Sequence, residues 1–139
     1  MRAVGSPSTL EAAFTLREKL PVGTWGVIGD GMVLGTNANK MRVRFEVRTR
    51  PAAAVDDQSD QVLVGVENVF ARDAANPFNA IQFETTADGA ASDAQAGDRL
   101  VLRFIGLPTD SDPSAVYIPN ADGAYHAGRI PSIKLPAAP

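Results

Sequence analysis

The chain contains no cysteine and a single histidine, His126. The first absence excludes disulfides, thiolate nucleophiles and cysteine-based zinc sites together. The second leaves one imidazole for general-base or metal-ligand work, and no serine stands in a Gly-x-Ser-x-Gly elbow to pair with it. His126, in Tyr125-His126-Ala127-Gly128-Arg129, therefore reads as a loop residue beside a turn glycine rather than a catalytic base. Aromatic residues make up only 6%, and the amphipathic rings are limited to Trp25, Tyr117 and Tyr125. Basic residues are not in excess. The net charge of −3 gives no general attraction to nucleic acid or an anionic membrane. No run approaches the roughly 20 apolar residues of a membrane helix, and Met1–Thr9 lacks the apolar centre of a signal peptide.

The chain does have the composition of one globular domain. Its 139 residues are 45% apolar and 21% charged, with 12 glycines and 10 prolines marking frequent reversals. Met41, Val43, Phe45, Val47 and Thr49 alternate with Arg42, Arg44, Glu46, Arg48 and Arg50, the period-two signature of a half-buried strand, ended by Pro51. Apolar even positions from Leu10 to Leu20 predict a second strand. A helix competes there, because Ser8-Thr9-Leu10-Glu11 also matches a capping box. Short apolar runs at 24–28 and 32–36 around Gly29-Asp30-Gly31 predict a hairpin. Further strands are expected at 62–70, 81–86, 99–107, 115–118 and 130–135. No connection offers an amphipathic helix of crossover length, which excludes a parallel α/β sheet. The expected fold is all-β: an antiparallel β-sandwich of eight or nine strands, one domain over 1–139, with extended arms at 1–9 and 136–139.

Gly29 to Gly35 resembles a dinucleotide-binding turn only in its glycines, since residues 32–39 are too short and too poor in helix formers to supply the required helix. The row Arg42, Arg44, Arg48 and Arg50 is a candidate face for an anionic partner. The competing reading pairs these arginines with Glu67 or Glu84 on neighbouring strands. Eleven of the sixteen acids are Asp, mostly in loops, so a calcium site at a sheet edge stays open, although Pro113 breaks the EF-hand pattern that begins at Asp110. Tyr117 and Tyr125 flank a turn carrying Asn120 and Asp122; these four residues are the candidate small-ligand surface, against a hairpin whose tyrosines pack across the strands.

The strand count and loop style resemble jelly-roll and galactose-binding-like sandwiches, among which are carbohydrate-binding modules and virion decoration proteins. The resemblance is to an architecture and carries over no binding residue. It implies a non-catalytic structural or assembly role, in a virion or outside the cell, with copies of itself or other protein subunits as partners. The alternative is a secreted carbohydrate-binding module. No enzyme activity, cofactor, nucleic-acid partner or membrane partner is expected, calcium aside.

Overall fold

The computed structural model describes residues 2–5, 8–34, 40–71, 75, 81–107, 115–118 and 132–137. They form β1 (Arg2–Gly5), β2 (Ser8–Thr15), β3 (Thr24–Leu34), β4 (Lys40–Arg50), β5 (Gln61–Ala71), β6 (Ile81–Asp88), β7 (Arg99–Leu107), β8 (Ala115–Ile118) and β9 (Ser132–Lys134). Among the described residues there is no helix.

The strands make two antiparallel sheets. One runs β2-β7-β4-β5; the other runs β1-β8-β3-β6, with β9 also pairing β3. The pairings nest. β4 pairs with β5, β3 with β6, β2 with β7 and β1 with β8, and successive pairs alternate between the sheets. A chain folded back on itself about the β4–β5 connection and wrapped into two layers produces this order.

The alternation along β4 sets the layers. Val43, Phe45 and Val47 are buried, as the period-two pattern predicts, and the register places Phe104 and Leu102 of β7 beside Phe45 and Val47 on the same face. The core is completed from the other sheet by Trp25 and Val27 of β3 and Phe83 of β6. The Phe45 and Phe83 rings stack across the two sheets, centroids 4.8 Å apart and planes inclined by 12°. Phe70 and Phe104 meet Phe45 edge-on. In β5 the register shifts opposite Val47 and Arg48, and there the consecutive Leu63 and Val64 are both buried, the mark of a bulge.

One expected element is corrected. Gly29-Asp30-Gly31 is no hairpin turn but the middle of the uninterrupted strand β3, paired with Phe83, Gln82 and Ile81 of β6. The glycine serves packing rather than reversal: a Cβ on Gly29 would lie 3.3 Å from Cε1 of Phe45 in the opposite sheet. Left-handed φ values occur among the described residues at Gly23 and Gly97. At the N-terminus, strand wins over helix, and β2 runs Ser8–Thr15 rather than on to Leu20. Residues 2–5, within the segment expected to be an extended arm, form β1 against β8. Near the other end Pro136 is buried, with its Cβ 3.1 Å from where a side chain on Gly23 would begin.

Candidate functional site

The outward face of the β2-β7-β4-β5 sheet holds the densest set of charged side chains. Strand register fixes which residues share it. Arg42, Arg44, Glu46, Arg48 and Arg50 of β4 stand opposite Leu107, Ile105, Arg103, Val101 and Arg99 of β7. Glu11 of β2 lies beyond Arg103, and Gly65 of β5 lies on the other side of Glu46. Glu11, Arg103, Glu46 and Gly65 thus form one row across four strands.

Glu46, the acid that interrupts the arginine row, is its organising residue. Its side chain is only 7% exposed, and it accepts hydrogen bonds from Nε of Arg44 at 2.8 Å and Nε of Arg48 at 2.6 Å. Burial pushes its carboxyl up, but the two guanidinium hydrogen bonds and charges prevail and hold it below the ordinary carboxylate range. Arg44 also reaches Glu67 at 3.8 Å, and its guanidinium lies over the bare backbone of Gly65, in the space a Cβ there would occupy. Arg42 meets Glu67 at 4.0 Å in an exposed, weak pair.

The deeper half of the lattice is organised by Asp60, from the β4–β5 loop, whose side chain is fully buried. Arg50 donates to both of its oxygens and to both oxygens of Glu11. Arg103 donates to Glu11 and to Asp57, the latter at 3.1 Å. The hydrogen bond from Arg50 is the largest influence on Glu11, whose carboxyl is held down to about 2. Asp57 is lowered by its hydrogen bond from Arg103. The guanidinium of Arg50 is raised, first by its hydrogen bonds to Asp60 and then by those to Glu11. Each arginine of the row is therefore engaged by acids of its own chain, and the face is self-neutralised.

At one end of this sheet a cleft of about 180 Å³ opens between the β4–β5 and β6–β7 loops. Thr49, Arg50, Ser59, Gln61, Asp93 and Asp98 supply its polar lining. Asp98 accepts from the backbone N–H groups of Gln95 and Ala52, which lower its carboxyl and tie the two loops together.

Comparison with known protein families, curated proteins and solved structures finds no match to this chain.

Of the residues singled out from sequence, Arg42, Arg44, Arg48 and Arg50 are brought together on one face, with Glu67 beside two of them. Glu84 is elsewhere, on β6 in the other sheet opposite Ile28. Sequence reading did not join Glu11, Asp60 and Arg103 to the arginine row; they stand 39, 10 and 53 positions from Arg50 in the chain. Tyr117 lies in β8, in register with Ala3 and Met32. Asn120, Asp122, Tyr125 and His126 lie outside the described residues. Among the described residues no group of three or more acids or histidines could hold a metal ion.

Proposed function

We propose that this chain is a non-catalytic structural protein, a subunit or decoration protein of a larger assembly built on a jelly-roll sandwich. The nested strand order carries the reading. Layers ordered β1-β8-β3-β6 and β2-β7-β4-β5 are what an eight-stranded hairpin rolled into a sandwich gives, with β9 added against β3 as a fifth strand of the first layer, and that architecture is used repeatedly in capsid shells and lectins. Fold alone does not assign function. The charged face adds the second support: its guanidinium and carboxylate groups are spent on one another, which stiffens a wall and leaves little with which to grip an anionic substrate.

A carbohydrate-binding module is the second reading, favoured by the polar cleft at Thr49, Ser59, Gln61, Asp93 and Asp98. Calcium could assist it through the Asp-rich loops. Absolute mass by sedimentation, together with binding to a glycan array, separates the two. A defined oligomer without glycan binding supports the assembly reading; a monomer that binds glycan overturns it.

A further inference from the structure

The open edge of β2 is a built pairing surface. β2 ends the β2-β7-β4-β5 sheet, and among the described residues no strand pairs with its outer side. Native edges are usually blunted by lysine, proline or a bulge. β2 has none of these: its sequence is Ser-Thr-Leu-Glu-Ala-Ala-Phe-Thr, and its register against β7 runs unbroken over eight residue pairs. Its one charge, Glu11, is turned onto Arg50 and Arg103 of its own sheet.

The inward face of β2 is also unfinished. Leu10, Ala12 and Phe14 stand opposite Phe104, Leu102 and Leu100, which are buried, so all three project to the core side. Yet Ala12 is exposed and Phe14 is 56% exposed. A phenylalanine on the core side of a sheet, left open at its edge, lacks a neighbouring strand.

We propose that the missing neighbour is β2 of a second copy, paired antiparallel about a two-fold axis through Ala12. The inference rests on the assembly reading and names the surface that would serve it. Opposed residues across an antiparallel pair share a face, so an axis perpendicular to the sheet must pass through a residue and not between two. Ala12 lies near the middle of Ser8–Thr15. With the axis there, Leu10 meets the second copy's Phe14 and Phe14 meets its Leu10, on either side of the two alanines. Each exposed ring gains an apolar cover on the core side. On the outward side Glu11 faces Ala13 and Thr9 faces Thr15, so no like charges stand directly opposed. The two sheets become one continuous eight-stranded layer. Shifting the axis by one residue in either direction, to Glu11 or Ala13, sets Glu11 against its own copy or pairs Phe14 with Ala12, and loses this match.

The chain has no cysteine, so an introduced one reports without background. Residues on such an axis have Cα atoms about 4.5–5.5 Å apart, within the reach of a disulfide. Ala12→Cys in the full-length chain should cross-link to a covalent dimer under mild oxidation. Val55→Cys, at a 98% exposed loop position, should not. Ala12→Glu and Ala12→Lys should each weaken self-association at least tenfold in sedimentation while circular dichroism stays unchanged, and mixing them should restore dimers. Cross-linking no faster at 12 than at 55, or wild-type association by Ala12→Glu, overturns the proposal. If the wild-type chain still oligomerises in that case, the edge pairing fails and the assembly reading stands; a wild-type chain that stays monomeric at every concentration overturns the pairing, and overturns the assembly reading too when that monomer binds glycan.

Discussion

Arg50 and Asp60 meet in a two-point contact, Nε to Oδ1 at 2.6 Å and Nη2 to Oδ2 at 2.7 Å, with the aspartate side chain fully shielded from solvent. The pair ties the last residue of β4 to the residue just before β5, and so fixes the loop between them. Breaking a buried pair from one side leaves the other charge without a partner, at about 3–5 kcal/mol. Asp60→Asn should destabilise toward the lower end of that range, because Glu11 still engages Arg50. Urea unfolding measures it, and a loss below about 0.5 kcal/mol would mean the pair is solvated.

Phe45 is the centre of the core, touching Phe70, Phe83 and Phe104. Phe45→Ala should destabilise the fold by about 3–5 kcal/mol, the usual range for deleting a buried ring. A loss under about 1 kcal/mol would place that face of β4 in solvent and the register in error.

Gly29 distinguishes a packing glycine from a turn glycine. Its φ lies outside the left-handed region, so Gly29→Ala requires only that Phe45 yield by a few tenths of an ångström. Gly29→Val adds branches where the ring already stands, and overpacking of that kind destabilises by about 1–3 kcal/mol. The expected outcome is a mild alanine variant and a clearly destabilised valine one. Equal losses for both would restore the turn.

Acid should loosen the charged face. Glu11 titrates near 2 in the folded chain against an ordinary value of 4.5, chiefly because Arg50 donates to it. The folded state therefore binds that proton less readily than the unfolded state. The resulting stability is complete above about pH 4.5 and is lost as pH falls toward 2. Discounted for the partial exposure of Glu11, the loss is about 1–2 kcal/mol. Glu46, Asp57 and Asp98 are lowered too and act in the same direction. Urea midpoints at pH 7, 4 and 2.5 should fall in that order, and Glu11→Gln should flatten the slope; a pH-independent midpoint would contradict the lattice.

Gly65 leaves the space in which the Arg44 guanidinium lies. Gly65→Val should expel that guanidinium and separate Arg44 from Glu46. The β-propensity gained by valine at a strand position offsets part of this loss. Adding Glu46→Gln to Gly65→Val should then be less damaging than Glu46→Gln alone, a non-additivity that a double-mutant cycle reads directly.

The sequence by itself determined the β class and most of the strands, because period-two alternation is a local property: each residue of β4 declares its face by its own chemistry, and β7 was placed at Arg99–Leu107 from the apolar run alone. It also placed the arginines on a shared face. Tertiary structure decided what they do there. Glu11 accepts from both Arg50 and Arg103 only because β7 lies between β2 and β4, a non-local arrangement that no run of neighbours encodes. It likewise decided Gly29, where local chemistry reads as a turn and the approach of Phe45 from the opposite sheet explains a glycine in mid-strand. The physical difference is range: a side chain's preference for apolar or aqueous surroundings is written in the side chain itself, whereas its partner is set by how distant strands are laid side by side.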